Sequence, residues 1–376
     1  MRDLNEIRAQ IDEVDQKLVD LYAQRMQLTE QVADYKIATG RKVFDKAREE
    51  AKLFKVSELV ETPYLKKGVR ELFEQLMSMS RKRQYQLMVK KGITPKLAFE
   101  EIEQLPSKHV RIVYQGVDGA YAQVAMQQYF KDTKNSYHVD TWRDAMEAIK
   151  NGDADYAVLP IENSSAGIVS ENYDLLVEYD NCVVGEQIIK IDHCLLGTKD
   201  AKLSDIEVVY SHPQALMQCG HYLEEHRNWE KQSYKNTAMA AKKVKEDGQV
   251  SQAAIANALT ADIYGLQILK ESIQDNPNNC TRFLIVAGKK MYVKGANKIS
   301  ICFEVQHASG TLYNMLSHFI FNNLNMNKIE SRPVGDRNWE YRFFIDFEGN
   351  LKDGAVQNAL QGLHEEAENL KILGNY

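Results

Sequence analysis

The stretch Y-A-V-L-P-I-E-N-S-S-A-G-I-V, Tyr156–Val169, decides how the middle of this chain is read. Tyr156–Leu159 has the apolar character of a short buried strand, and Pro160 is expected to stop it. A small polar loop with Asn163, Ser164 and Ser165 then opens onto a predicted helix. Ligands sit at such strand ends in open α/β sheets, because free backbone N–H groups of the next helix point there. Gly167 would let backbone approach a bound group. The plainer reading is a capped helix start, since Asn and Ser are preferred caps. On this segment alone both readings stand. Two more segments share the pattern: S-H-P-Q-A-L, Ser211–Leu216, and N-C-T-R-F, Asn279–Phe283, which enters a strand Phe283–Ala287. Three polar strand-end loops in one region predict a cleft.

Working outward, strands and helices alternate from Val110: a strand Val110–Tyr114, a glycine turn Gln115–Gly119, a helix from Tyr121, and strands Cys194–Leu196, Ile206–Tyr210 and Ala253–Ala256. That alternation predicts an α/β region with two lobes. After Gly288 the order becomes strand Lys298–Val305, helix Thr311–Asn323, strands Lys328–Ser331 and Glu340–Phe347, helix Ala355–Asn369 and strand Lys371–Asn375. This is a βαββαβ, ferredoxin-like, α+β pattern. Residues 92–108, with Pro95 and Pro106 as breakers, read as a linker. Residues 1–91 hold two glycines and one proline, and read as all-α. A chain of 376 residues exceeds one core, so several domains are expected.

No apolar run is long enough for a bilayer, and the start M-R-D-L-N-E-I lacks a signal-peptide core. The five cysteines (Cys182, Cys194, Cys219, Cys280 and Cys302) have no C-x-x-C spacing, which argues against a zinc site or disulfide framework. A cytoplasmic location is the expectation. The net charge of −6 divides into +4 over residues 1–91 and −10 over the rest. That modest excess admits nucleic acid or a small anion, and charge placement must decide.

In the helical region Asp3 and Glu6 suggest a capping box, and Gly40 a helix stop. Between them Ile7, Ile11, Val14, Leu18, Leu21, Leu28, Val32 and Tyr35 recur at spacings of four and three. This is a coiled-coil-like seam on a helix of about 35 residues, too long to bury its stripe within its own unit, so a partner chain is implied. The seam wants an apolar residue at position 25 and has Arg25 instead. A polar seam residue can serve register alone. A buried guanidinium, however, needs an anion, and no seam acid answers it. Lys36 follows about three turns on, and Arg8 lies far towards the helix start. A second helix presents Asp45, Arg48 and Glu49 on one face. A third, from about Tyr64 to Lys90, interrupts its apolar stripe with Ser80 and Gln84. Singly these are solvated faces or ion pairs. Together they predict a cation-rich pocket able to grip a small polycarboxylate.

This constellation resembles the all-helical chorismate mutases over residues 1–91. The resemblance carries over Arg8, Arg25, Lys36, Asp45, Arg48, Glu49, Ser80 and Gln84 without substitution. It implies an entwined dimer in which Arg8 serves the partner's site. Chorismate to prephenate is a pericyclic rearrangement, so a protein need only hold a compact conformer and stabilise charge on the breaking ether. By resemblance Arg8, Arg25 and Arg48 hold the carboxylates, with Asp45 and Ser80 as further substrate contacts. Lys36 and Gln84 donate to the ether oxygen, and Glu49 orients the ring hydroxyl.

The segments G-V-D-G-A-Y-A (Gly116–Ala122), P-I-E-N-S-S-A-G (Pro160–Gly167), S-H-P-Q-A-L-M-Q-C (Ser211–Cys219) and C-T-R-F (Cys280–Phe283) occur in the order found in prephenate dehydratases. This resemblance covers residues 109–288 and implies a two-lobed fold like a periplasmic binding protein. Thr281 is the implied catalytic residue, a proton or hydrogen-bond donor to the departing hydroxyl. Arg282 either neutralises charge near it or ties the strand end down. Asn163, Ser164, Ser211 and Gln214 are implied substrate contacts. His212 could be a general acid or a structural residue before Pro213.

Residues 298–376 resemble an ACT domain, an amino-acid-sensing module. E-S-R-P, Glu330–Pro333, matches its motif, while H-A-S-G-T-L-Y, His307–Tyr313, lacks the Asn-Pro that usually precedes its glycine. Gly310, Leu312, Glu330, Ser331 and Arg332 are the implied effector contacts, with L-phenylalanine as effector. A purely dimerising domain is the alternative. The whole chain is thus similar to the bifunctional chorismate mutase/prephenate dehydratases of phenylalanine biosynthesis, with no cofactor, metal, nucleic acid or membrane expected. The rival is a transcription regulator with a helical DNA-binding start. It would need a short helix-turn-helix with cations facing outward.

Overall fold

The three-and-four spacing across residues 7–35 becomes one helix, α1, Leu4–Thr39, in the computed structural model. The structure describes residues 2–376 apart from Pro95, Lys96, Lys131, Asp336 and Asn338, so the breaker Pro95 lies outside the described residues. Gly40 ends α1 in the left-handed conformation, φ 66°, its N–H donating to the Lys36 carbonyl. The capping box does not form: Asp3 occupies the N-cap position without a side-chain bond. Helix α2, Lys46–Ser57, is capped by Asp45, whose carboxylate accepts from Arg48 N at 3.1 Å. Helix α3, Pro63–Lys90, starts with its proline in the first turn, where no N–H is missed, behind the cap of Thr62.

The chain divides into two compact units. One joins the helices, through Leu97, to Asn297–Ile372; the other is Ala98–Ala296 with Leu373–Tyr376. The second unit starts inside the stretch read as a linker, where β1, Glu100–Ile102, forms a parallel pair with β13, Met291–Val293. Next come β2 (Ile112–Gln115), α4 (Tyr121–Tyr129), β3 (Ser136–Val139), α5 (Trp142–Lys150), β4 (Tyr156–Asn163), β5 (Gly167–Ile168), α6 (Ser170–Glu178) and β6 (Cys182–Lys190). They are followed by β7 (Cys194–Gly197), β8 (Val208–Ser211), α7 (Pro213–Gln218), α8 (Gly220–Glu225), β9 (Glu230–Ser233), α9 (Thr237–Asp247), β10 (Gln252–Ala256), α10 (Ala258–Tyr264), β11 (Gln267–Lys270) and β12 (Cys280–Ala287). Two sheets result. In one the order is β6-β12-β4-β2-β3, and in the other β11-β7-β10-β8-β9. The long chain excursion between β6 and β12 builds the second sheet, which buries apolar side chains on both faces.

Pro160 does not stop β4. The strand runs to Asn163, and its register against β12 shifts between Arg282, which faces Glu162, and Phe283, which faces Pro160. The extra residue makes a bulge, where proline's missing N–H is tolerated. Nor do Asn163, Ser164 and Ser165 begin a helix, because α6 starts at Ser170 behind Val169. They form the turn into β5, with the Asn163 side-chain oxygen accepting from Ser165 N at 3.0 Å and Ala166 N at 2.8 Å. Gly119, φ 91°, shows why the Gly116–Gly119 turn needs glycine: a Cβ there would lie 2.9 Å from Thr260 Oγ1. Asn257 and Thr260 of the second sheet's region both donate to its carbonyl.

The first unit is completed by β14 (Lys298–Glu304), α11 (Thr311–Phe321), β15 (Met326–Pro333), β16 (Tyr341–Glu348), α12 (Gly354–Glu366) and β17 (Glu368–Asn375), with strand order β15-β16-β14-β17. Helix α12 packs on α11 and on α3. Among the described residues no helix is long and apolar enough to cross a membrane.

Candidate functional site

Helices α1, α2 and α3 and the loop before α2 line an open cleft of about 810 Å³ whose wall includes Arg25, Lys36, Asp45, Arg48, Glu49, Ser80 and Gln84. Seven of the eight helical positions nominated from the sequence therefore meet in one place. Arg8 does not join them. It is exposed and lies 17 residues before Arg25, about 25 Å along the same helix.

Arg25 turns off the seam and inward, donating to the Leu76 carbonyl at 2.9 Å and to Ser80 Oγ. Ser80, buried on α3, itself donates to Leu76 O, so the polar pair satisfies a helix carbonyl as well as each other. Lys36 donates to the Val43 carbonyl at 2.7 Å, tying the end of α1 to the loop before α2. Burial lowers its pKa and the charge of Arg48 lowers it further, against Glu365, Glu49 and Asp45. Gln84 is buried; its amide nitrogen donates to Ser80 O at 3.2 Å and its oxygen has no partner among the described residues. An amide nitrogen carries two hydrogens, and Ser80 O takes one of them.

Glu49 reaches Arg81 at 2.5 Å, and Arg81 also grips Glu366 of α12 through two nitrogens, at 2.8 and 3.1 Å. Burial would lower the Arg81 pKa, but Glu366 and Glu49 outweigh it and raise it. Arg81, Arg41 and Thr29 line the cavity as well. Sequence reasoning missed all three. Only the run Arg81-Lys82-Arg83 on α3, inside a buried stretch, hinted at Arg81.

In the second unit, strands β4 and β12 bring Asn163 opposite Thr281. Asn163 Nδ2 donates to Thr281 Oγ1 at 2.9 Å and to Asn279 Oδ1 at 2.9 Å. Ser164 Oγ donates to the same Asn279 oxygen at 3.3 Å and accepts from Cys280 N at 2.9 Å. Asn279 is buried with its amide nitrogen unpartnered among the described residues. It lies in the motif Asn279–Phe283 but is not among the residues expected from the sequence to contact substrate. Arg282, one residue on and hence on the other face of β12, pairs with Glu186 at 2.6 Å and donates to Tyr376 Oη at 2.8 Å.

Ser211 ends β8 in the other sheet, and Gln214 lies in the first turn of α7, which follows it. Ser211 is buried and donates to the Ile255 carbonyl at 2.6 Å, while Gln214 N donates to His212 Nδ1, which caps α7. In the C-terminal part of the first unit, Gly310 and Leu312 line a cavity of about 270 Å³ with His307, Trp339, Tyr341 and Phe343. Glu330, Ser331 and Arg332 lie on β15 and do not line it. Among the described residues no group of three or more His, Cys, Asp or Glu could hold a metal ion.

Residues 7–85 match the type II chorismate mutase family and residues 112–291 the prephenate dehydratase family. The chain is 33% identical over 382 residues to the bifunctional chorismate mutase/prephenate dehydratase of Enterobacter agglomerans, covering 98% of this chain and 95% of that one. The structure of prephenate dehydratase from Arthrobacter aurescens in complex with L-Phe is 30% identical, with a TM-score of 0.66 over 71% of this chain and 90% of that one. A structure titled GqqA, a novel type of quorum quenching acylase, is 30% identical with a TM-score of 0.65, over 70% of this chain and 96% of that one.

Proposed function

The chain belongs to the bifunctional chorismate mutase/prephenate dehydratases, and from that membership we propose which residues carry each reaction. It converts chorismate to prephenate, and prephenate to phenylpyruvate with loss of CO₂ and water, within phenylalanine biosynthesis. The observation that carries the first assignment is the single cavity shared by Arg25, Lys36, Arg48, Glu49, Ser80 and Gln84.

Chorismate is a dianion, and its rearrangement breaks one ether C–O bond as a C–C bond forms. Arg25 and Arg48 hold its carboxylates in the compact conformer, and Arg8 of a second copy closes the open end. Lys36 and the Gln84 amide stabilise negative charge growing on the ether oxygen. Glu49 fixes the ring hydroxyl. A DNA-binding reading fits poorly, since α1 is one continuous 36-residue helix and Arg25 faces inward.

In the dehydratase, the C–CO₂ bonding electrons move into the ring as the ring hydroxyl leaves with a proton. Thr281 Oγ accepts from Asn163, so its own hydrogen is directed elsewhere, towards that leaving group. Threonine is a weak acid, and donation of a hydrogen bond suits it better than full proton transfer. Asn163, Ser164, Ser211 and Gln214 serve as substrate contacts, and Arg282 holds the strand end through Glu186 and Tyr376.

The domain scheme follows: a mutase domain over 1–91, a two-lobed dehydratase domain over 109–288, and a ferredoxin-like ACT domain over 298–376. The order β15-β16-β14-β17 with two helices supports the last. L-phenylalanine is the proposed effector, a choice supported by the Arthrobacter protein's having been solved in complex with L-Phe, and the cavity beside Gly310 and Leu312 is its proposed site. Following chorismate loss and phenylpyruvate appearance spectroscopically with the purified chain tests the function. Both signals are expected from chorismate alone. Failure of either contradicts it.

A further inference from the structure

The loop from α1 to α2 is held from outside the three helices. The backbone N–H groups of Val43 and Phe44 both donate to Glu365 Oε2 of α12, at 2.9 and 3.0 Å. Val43 is the residue whose carbonyl receives Lys36, and the next cap, Asp45, sets the start of α2 and with it Arg48 and Glu49. The neighbouring Glu366, with a side chain only 4% exposed, takes two nitrogens of Arg81, whose third is on Glu49. Behind Glu366 stands His318 of α11, its Nε2 3.3 Å away. Gly362 makes room for that ring: a Cβ there would lie 2.3 Å from it. Tyr85 Oη sits 3.4 Å from both carboxylates. Two adjacent acids on the last turn of α12 therefore reach separate walls of the helical cavity.

Taking that cavity as the mutase site, as assigned above, we propose that Glu365 and Glu366 are positioning residues of the chorismate rearrangement, supplied by the C-terminal region of the chain. Glu365 places the Val43 carbonyl and so the Lys36 ammonium. Glu366 divides Arg81 between two carboxylates and so sets where Glu49 points. Neither touches substrate. A rearrangement driven by preorganised charge responds to such displacement in the chemical step more than in binding.

The test compares Glu365→Ala, Glu365→Gln, Glu366→Gln and Lys36→Ala in the full chain, measuring kcat and KM for chorismate and, on the same preparations, turnover of added prephenate. Glu365→Ala and Glu366→Gln are expected to lower mutase kcat about tenfold or more, with KM shifting less. Glu365→Gln keeps an oxygen to accept both N–H groups and should restore most of the rate. Prephenate turnover should stay within about twofold, showing that the chain remains folded. Full mutase kcat in Glu365→Ala and Glu366→Gln, with Lys36→Ala inactive, overturns the proposal and leaves the site assignment intact. Equal damage in Glu365→Ala and Glu365→Gln, or loss of both activities together, also overturns it. An active Lys36→Ala overturns the site assignment and the proposal with it.

Discussion

Lys36 is half-buried and Glu366 almost wholly buried, and opposite partners decide their fates. Burial and Arg48 favour the neutral form of Lys36, so its pKa lies below the ordinary lysine value despite Glu365, Glu49 and Asp45. The ammonium is the form that can stabilise the ether oxygen. As pH rises, that form is lost earlier than in an exposed lysine. Mutase kcat should therefore decline on an alkaline limb below the ordinary lysine pKa, and Lys36→Arg should remove the limb while retaining some activity. A flat profile to that pH contradicts the role. For Glu366, burial alone would raise the pKa, but the neighbouring His318 and Arg81 bring it from 4.5 to about 2. A folded pKa below the unfolded one gives stabilisation that is complete above pH 4.5 and lost as pH falls towards 2. Denaturation curves across that window should show the loss, and Glu366→Gln should flatten it. Removing one partner of a buried pair costs about 3–5 kcal/mol, so the variant should also be less stable at neutral pH.

At the scale of elements, α1 carries the clearest unmet demand. Ile11, Val14, Leu18, Leu21 and Leu28 each remain more than half exposed, and only Thr29 and Ala33 of the helix are buried. A 36-residue helix with a solvent-facing apolar seam calls for cover, and we propose that a second copy supplies it. Arg8, remote from its own chain's cavity, would then complete the partner's. Mixing inactive Arg8→Ala and Lys36→Ala chains should restore part of the mutase activity, since one hybrid site holds both wild-type groups. No recovery after verified subunit exchange contradicts shared sites. These helices were legible because their signals are local: periodicity and Gly40 bound α1, Asp45 marks the start of α2, and the apolar stripe from Tyr64 to Lys90 follows α3. Pro160 misled because the bulge that tolerates it is set by β12, far away in sequence. Arg81 was missed for the same reason, its partner Glu366 lying 285 residues on. Asn279 could have been nominated from its place beside Thr281, but nothing local showed that its amide would be buried with a free donor.

For the whole molecule, regulation demands more than binding. Phenylalanine can inhibit only if it binds one arrangement of the protein better than another. Titrating dehydratase activity with L-phenylalanine should show a saturable fall, and Leu312→Glu, which puts a charge in the 270 Å³ cavity, should move it to higher concentration. A full-length enzyme indifferent to millimolar phenylalanine would remove the sensing role.

If two chemistries use separate polar constellations of one chain, single substitutions must separate them. The decisive measurement follows both activities, chorismate loss and phenylpyruvate formation from added prephenate, in Arg25→Ala and Thr281→Ala. Loss of an arginine holding a substrate carboxylate, or of the donor to the leaving group, should cost about 2–4 kcal/mol of transition-state stabilisation, roughly 30- to 1,000-fold in rate. Arg25→Ala should lose chorismate turnover and keep dehydration, and Thr281→Ala should do the reverse. Parallel loss of both activities in either folded variant would contradict the account.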